Sequence, residues 1–296
     1  EDVYPMSDVE KGMIFESLIG EGKGVYHDQK VFQRSFQNFD PERFRYALEL
    51  LVNKHEILRT SFHLESYSTE VQMVHKRIPV LLNYTDLSGL NRTEQEQEVK
   101  NFLSKELDRP FVVTEALLWR MAAFNLGKDE FVFVFQCHHA IIDGWSETSF
   151  VTELNNLYLQ LAENPGFHPA ALKASYKDFI IEHEVSKRDA GIRSFWQKEL
   201  AGYERLSLFT KEQDTQHYSG NLEDINLKQV ELAAKQLSSS VKVISLSAYL
   251  YLLKLLSYTD ELVAGLVTNM RPSCEDSDQL LGCFLNTIPL RVIIDG

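Results

Sequence analysis

Cysteine is scarce in this sequence and is not clustered. The 296 residues contain Cys137, Cys274 and Cys283, and no two of these form a CxxC pair. An odd number of scattered cysteines does not suit a disulfide framework, so a reducing compartment is indicated. The acidic, proline-containing start EDVYPMSDVE does not match a secretory signal. We therefore expect a cytoplasmic protein.

Excess basic charge and long apolar runs are also lacking. The chain has 30 Lys and Arg against 43 Asp and Glu, which gives a net charge of −13. This balance argues against nucleic acid and anionic membrane surfaces as partners, because both attract clustered Lys and Arg. The apolar stretch SLSAYLYLLKLLSY is shorter than a membrane span and contains Lys254. We expect no nucleic-acid or membrane partner.

The sequence lacks the common motifs for nucleophiles and nucleotides. It has no GxSxG elbow of serine hydrolases, no Walker-type loop and no GxGxxG. Cys137 lies in an apolar run, where a thiol is more often inert packing than a nucleophile. What remains is a site in which the protein supplies a base or a hydrogen-bonding group and the substrates supply nucleophile and electrophile.

Helix and strand signals alternate along the chain. Ser7 and Glu10 have capping-box spacing, and Asp40 followed by Pro41 begins a second helix. A strand-like stretch, QKVFQRSFQ, lies between them. A later charged helix, RTEQEQEVKNFLSKEL, is predicted to turn four apolar residues inward: Val99, Phe102, Leu103 and Leu107. The interleaving predicts a mixed α/β fold.

A weakly patterned stretch near residue 206 suggests a division of the chain. We place an N-terminal lobe at residues 1–205 and the beginning of a C-terminal lobe at residues 206–296. Within the first lobe, two apolar runs flank GKDE and predict a β-hairpin with its tip at Gly127 and Lys128. The second run, FVFVFQC, is apolar on both faces and predicts a central buried strand.

Two adjacent histidines, His138 and His139, lie at the end of this predicted strand. Successive strand side chains point to opposite faces, so His138 and His139 cannot converge as a pair. This spacing argues against tetrahedral zinc, although Asp143 could turn back to a histidine, and we expect no metal. Each residue also has a structural interpretation: a hydrogen-bonded histidine, an N-cap at Asp143, a turn at Gly144 and core filling by Trp145. Their joint occurrence where a strand gives way to a helix favours a functional site.

The stretch HHAIIDG, residues 138–144, resembles the HHxxxDG signature of condensation domains in nonribosomal peptide synthetases. The shorter HxxxD motif also occurs in chloramphenicol acetyltransferase and related acyltransferases. Other stretches match condensation-domain motifs in the family's order, with Lys54 in place of an arginine: YPMSDVEKGMIFESL from Tyr4, KHEILRTSF from Lys54, YKDFIIEH from Tyr176 and LGCFLNTIPLR from Leu281.

The resemblance implies an architecture and a set of partners. The fold is expected to be two lobes like chloramphenicol acetyltransferase in a V arrangement, with mixed sheets, flanking helices and a channel between the lobes. Family members continue beyond this point, so the second lobe is expected to be incomplete. No cofactor is expected to be bound, because the substrates travel on 4'-phosphopantetheine arms. The expected partners are donor and acceptor peptidyl carrier domains and neighbouring domains such as adenylation domains.

The resemblance also implies residue roles. His139 corresponds to the histidine that enters the channel, as a general base or as a group that positions the amine and stabilises the intermediate. His138, Asp143, Gly144 and Arg59 are expected to support the site, with Asp143 paired to Arg59. Gly144 is expected to allow a close backbone approach or a positive φ.

Three further residues are expected to lie along the substrate channel: Trp145, Ser146 and Asn286. The intact histidines argue against the cyclisation subtype, in which aspartate replaces them, and DGWS favours condensation over epimerisation. The opening motif, IIDGWS and NTIPLRV favour the subtype that accepts donors with a D-configured terminal residue. Two alternatives remain: a catalytically idle relative that docks carriers or enzymes, and a stand-alone CoA-dependent acyltransferase.

Overall fold

The computed structural model describes residues 1–20, 24–65, 67–206 and 225–295. The chain forms two compact units. The first consists of Glu1–Lys187 with Asn269–Asn286, and the second of Arg188–Thr268 with Thr287–Gly296. The lobe boundary predicted after residue 205 adjoins residues 207–224, which lie outside the described residues. The division into lobes therefore stays a prediction.

The described residues of the first unit form helices packed on sheets. The helices are α1 (Asp8–Ile19), α2 (Pro41–Lys54), α3 (Arg92–Leu107), α4 (Gly144–Glu163) and α5 (Tyr176–Ser186). The strands are β1 (Asp2–Pro5), β2 (His27–Ser35), β3 (Thr60–His63), β4 (Val71–Val74), β5 (Leu82–Asp86), β6 (Trp119–Gly127) and β7 (Glu130–His138). Their orders, β2-β7-β6-β5 and β1-β4-β3, confirm the predicted mixed α/β class.

The first helices begin where their local signals predict. Ser7 Oγ accepts a hydrogen bond from the Glu10 N–H, and Glu10 Oε2 accepts one from the Ser7 N–H, so the capping box of α1 is complete. Asp40 caps α2 by accepting from the backbone N–H groups of Glu42 and Arg43. These bonds use N–H groups that have no partner within the helix.

The predicted hairpin and central strand are both confirmed. Strand β7 lies between β2 and β6, and Gly127, Lys128 and Asp129 have φ of 84°, 53° and 63° at the hairpin tip. Alternate β7 side chains enter different apolar clusters. The larger one contains Phe131, Phe133, Phe135 and Cys137 with residues of α2 and α4, and the smaller one contains Val132 and Val134 with residues of α3. Helices therefore cover both faces of this sheet.

Helix α3 departs from prediction at one position. Val99, Phe102 and Leu103 pack against the smaller cluster as predicted, but the Leu107 side chain is exposed. Glu106 is buried instead, because Arg120 of β6 donates a hydrogen bond of 2.9 Å to its carboxylate. A charge can be buried when it is paired in this way.

The second unit has a separate, smaller core. Its described elements are α6 (Ala190–Glu199), α7 (Leu227–Gln236), α8 (Val241–Ser257) and most of β8 (Glu261–Asn269) and β9 (Leu285–Ile293). Strands β8 and β9 pair, and their apolar residues pack with Leu250 and Leu253 of α8. No single helix in the described ranges is long and apolar enough to cross a membrane. Helices α7 and α8 taken together meet that criterion, with a bend of 97° between them.

Candidate active site

The two histidines lie where β7 ends. His138 is the last residue of the strand, and His139 begins a short 3-10 turn, His139–Ile141. The His138 N–H donates to the Leu118 carbonyl, and the His139 N–H donates to the Tyr26 carbonyl, each at 2.8 Å. Both backbone positions are thus held by neighbouring chain segments.

His138 is buried against α1. The Ala140 N–H donates to His138 Nδ1 at 3.2 Å, so the ring proton must lie on Nε2, which donates to Ser17 Oγ at 3.0 Å. Ser17 in turn donates to the Ile14 carbonyl at 3.0 Å. Burial, which disfavours the charged ring, lowers the pKa of His138 to about 4. The ring is therefore neutral at physiological pH, and its hydrogen bonds connect α1 to the 3-10 turn after β7.

His139 has a different environment. Its Nδ1 lies 2.5 Å from the Asp28 carboxylate at the start of β2, and its side chain is 25% exposed. Among the described residues, its Nε2 has no hydrogen-bond partner. The hydrogen bond to Asp28 is the main reason that the pKa of His139 is raised above its ordinary 6.5. Because a carboxylate accepts, the proton of a neutral ring lies on Nδ1 and the Nε2 lone pair is available for chemistry.

Further charges lie around this imidazole. The carboxylates of Asp143 and Glu147 also raise the pKa of His139, while burial opposes them. Glu147 pairs with Lys30 of β2 at 3.5 Å. Lys30 lies two residues after Asp28, so both lie on the same face of the strand. The site can therefore accept a proton and stabilise the resulting positive charge.

Asp143 holds the loop after the histidines. One carboxylate oxygen accepts from the Ser146 N–H at 2.7 Å and caps α4, and the other accepts from the Phe284 N–H at 3.1 Å. The Asp143 N–H donates to the Gly282 carbonyl at 3.1 Å, and Arg271 lies 3.9 Å from the carboxylate. Asp143 thereby connects the start of α4 to Gly282 and Phe284 through hydrogen bonds.

The predicted ion pair between Asp143 and Arg59 is wrong. Arg59 Nη1 donates to Glu1 Oε2 and to the His75 carbonyl, each at 2.6 Å, and Nε donates to the Val52 carbonyl at 3.0 Å. The arginine near Asp143 is Arg271, which lies outside the matched motifs. Arg59 is buried and joins the end of α2 to β3 and β4.

The remaining predicted residues lie in different surroundings. Gly144 is exposed, its φ is not positive, and a Cβ there would meet no atom within 4 Å, so neither expected reason for a glycine applies. Ser146 is fully buried: it donates to the Gly282 carbonyl at 2.8 Å and accepts from Arg271 at 2.6 Å. These bonds give Ser146 a structural use instead of the expected channel position. Trp145 is 59% exposed, and Asn286 is half-buried in β9.

Sequence reasoning missed the residues that contact His139 and Asp143, including Asp28 and Arg271. Asp28 reaches His139 through strand pairing, since it lies directly opposite Cys137 in the β2–β7 ladder. Arg271 reaches Asp143 through the return of residues 269–286 to the first unit. In the parts of the chain that the structure describes, no three His, Cys, Asp or Glu side chains group to hold a metal ion.

The condensation domain family matches residues 1–296. Similar curated proteins include gramicidin S synthase 2 of Brevibacillus brevis, 25% identical over 99% of this chain and 7% of its own length. Bacitracin synthase 1 of Bacillus licheniformis is 25% identical over 100% of this chain and 6% of its own length. AMB antimetabolite synthetase AmbE of Pseudomonas aeruginosa is 28% identical over 99% of this chain and 14% of its own length. The chain thus spans a small part of each of these relatives.

Solved structures share the fold of the whole chain. The first condensation domain of the calcium-dependent antibiotic synthetase aligns with a TM-score of 0.76 at 18% identity, covering 100% of this chain and 71% of that one. The condensation domain from the monacolin K polyketide synthase MokA aligns with a TM-score of 0.76 at 16% identity, covering 100% of this chain and 69% of that one. Since the family match covers every residue, the chain belongs to the condensation domain family, whose members catalyse amide-bond formation.

Proposed function

We propose that this domain condenses two carrier-bound substrates in a nonribosomal peptide synthetase. The acceptor amine attacks the donor thioester, so that a C–N bond forms and the C–S bond breaks. His139 accepts the proton that the amine loses and passes it to the donor phosphopantetheine arm, which leaves as a thiolate and becomes a thiol. The observation that carries the proposal is the hydrogen bonding of the His139 ring. Its Nδ1 is bonded to Asp28, while its Nε2 has no partner among the described residues.

His139 acts as the proton acceptor in this proposal. An α-amine has a pKa of about 8 and must lose a proton before it attacks. A positioned base contributes about 10²- to 10⁴-fold in rate. The nearby carboxylates favour the protonated imidazole that forms, which suits a base more than a group that only positions the amine.

The proposal also covers the partner domains, the cellular location and the configuration of the donor. Donor and acceptor peptidyl carrier domains deliver the substrates, adenylation domains load them, and the reaction takes place in the cytoplasm. Cys137, Cys274 and Cys283 are all unpaired, which supports a reducing location. The motifs YPMS…GMIF, IIDGWS and NTIPLRV support a donor whose terminal residue has the D configuration.

A reconstituted condensation assay tests the proposal. The full chain is mixed with a donor-loaded and an acceptor-loaded carrier, and the acceptor carrier is analysed by intact mass. We expect the donor mass to move to the acceptor carrier, faster with a D-configured donor terminus than with its L isomer. Product from an acyl-CoA donor without a carrier would instead indicate a free-standing acyltransferase. Carrier binding without product from several substrate pairs would indicate a docking relative.

A further inference from the structure

We propose that Asp28 is a positioning residue, whose carboxylate holds the His139 imidazole with its proton on Nδ1 so that Nε2 is presented to the acceptor amine. The inference rests on the proposed function, because it gives His139 its protonation state for that reaction. The Nδ1 to carboxylate distance is 2.5 Å. No matched sequence motif includes Asp28.

The strand ladder places Asp28 within reach of His139. His27 lies opposite His138 and Asp28 lies opposite Cys137, so His139 is the diagonal neighbour of Asp28, one residue beyond the end of the strand. Diagonal neighbours on one face of an antiparallel pair lie about 7–8 Å apart, a span that Asp and His side chains can bridge. The Tyr26 carbonyl, one residue before β2, accepts a hydrogen bond from the His139 N–H. The backbone and the ring of His139 are thus held by neighbouring residues at the start of β2.

Asp28 differs from the other charged groups near His139. From the start of α4, Asp143 and Glu147 act on the ring through their charge, but Asp143 is bonded to backbone N–H groups and Glu147 is paired with Lys30. From β7, His138 is neutral and bonded to Ser17 of α1. Asp28 is the carboxylate in direct contact with the ring.

A carboxylate can select the tautomer because it only accepts hydrogen bonds. A neutral imidazole with its proton on Nδ1 keeps a lone pair on Nε2. An amide at residue 28 can donate to Nδ1 and hold the wrong tautomer, and an alanine leaves the choice open. In both variants the ring also loses the charge that stabilises it after proton uptake.

Histidine NMR tests the positioning role without any reaction. The full chain is labelled with ¹⁵N-histidine, and the His139 signals are identified by their loss in His139→Gln. We expect the neutral ring to carry its proton on Nδ1 in the wild type and to lose this preference in Asp28→Asn and Asp28→Ala. The His139 pKa should also fall in both variants. A wild-type proton on Nε2, or a tautomer and pKa unchanged in the variants, would overturn the proposal.

The rate of condensation against pH gives the second measurement. We expect the maximal single-turnover rate to fall about 10- to 100-fold in Asp28→Asn, a share of the effect of a positioned base. The rise of rate with pH should move to lower pH, while the KM for the acceptor carrier stays unchanged. Glu130→Gln is the matched control, since it makes the same chemical change at the other end of the β2–β7 ladder, opposite Ser35.

Together, the two measurements distinguish a failure of the positioning role from a failure of the proposed condensation. If the wild type forms no product while NMR shows the Nδ1 tautomer and its dependence on Asp28, the proposed condensation is wrong and the positioning geometry stands. If the wild type forms product and Asp28→Asn, checked for folding by circular dichroism, keeps the wild-type rate and pH profile, the positioning role is wrong and condensation stands.

Discussion

Two adjacent histidines have opposite electrostatic environments in this protein. His138 is buried, and both of its ring nitrogens bond to neutral groups. Burial lowers its pKa to about 4. His139 is partly exposed and contacts the Asp28 carboxylate, so its pKa is raised. Sequence predicts that the two rings take opposite faces, but the pKa shifts depend on the burial of His138 and on the contact of His139 with Asp28, which is distant in sequence.

The first prediction concerns acid stability and His138. Its lowered pKa means that the folded state disfavours the protonated ring, so His138 contributes stability above about pH 6.5 that is lost as the pH falls toward 4. Between about pH 7 and pH 5 we expect the free energy of unfolding of the wild type to drop by about 2 kcal/mol more than that of His138→Gln. Urea unfolding at both pH values measures this. An equal drop in both proteins would contradict the account.

A second prediction concerns Glu10 and has the opposite sign. Glu10 is fully buried, accepts from Gln72 at 3.1 Å, and burial raises its pKa to about 7. The protonated form is favoured in the folded state, so stability present below about pH 4.5 is lost as the pH rises through 7. From about pH 5 to pH 8 we expect the wild type to lose about 2 kcal/mol relative to Glu10→Gln. Urea unfolding of the two proteins measures it, and parallel pH curves would contradict the prediction.

The elements of the fold were predictable where the signals are local. The capping box of α1, the Asp40 cap of α2 and the hairpin tip at Lys128 depend on neighbouring residues, and all three are confirmed. Contacts between distant elements were not predictable in the same way. Arg59 follows α2 in a matched motif, yet its partners are Glu1 and two backbone carbonyls, because tertiary packing decides which charges meet.

A third prediction concerns the link between α4 and residues 269–286. Asp143→Ala removes the N-cap of α4 and leaves Arg271 half-buried without its nearby charge, so we expect a loss of about 3 kcal/mol of folding stability. Double-mutant cycles measured by urea unfolding identify the partner. The cycle with Arg271→Ala should give a coupling of about 1 kcal/mol or more, and the cycle with Arg59→Ala a coupling near zero. The reverse pattern would restore the pairing with Arg59.

At the scale of the whole molecule, the first unit contains the complete described site. Residues distant in sequence meet there: Asp28 comes from β2, His139 follows β7, and Arg271 arrives from the late segment Asn269–Asn286. The second unit has its own small core, and apolar side chains of α7 and α8 such as Leu232 and Leu252 are exposed. The sequence motifs therefore indicated the family, while the long-range assembly of the site required the structure.

The central claim is that amide-bond formation depends on the His139 imidazole. The most direct measurement is the single-turnover rate of product formation on the acceptor carrier, compared for wild type, His139→Ala and Glu130→Gln, with folding checked by circular dichroism. We expect His139→Ala to fold and to lose about 10²- to 10⁴-fold in rate, while Glu130→Gln keeps the wild-type rate. A folded His139→Ala variant that forms product at the wild-type rate would contradict the claim.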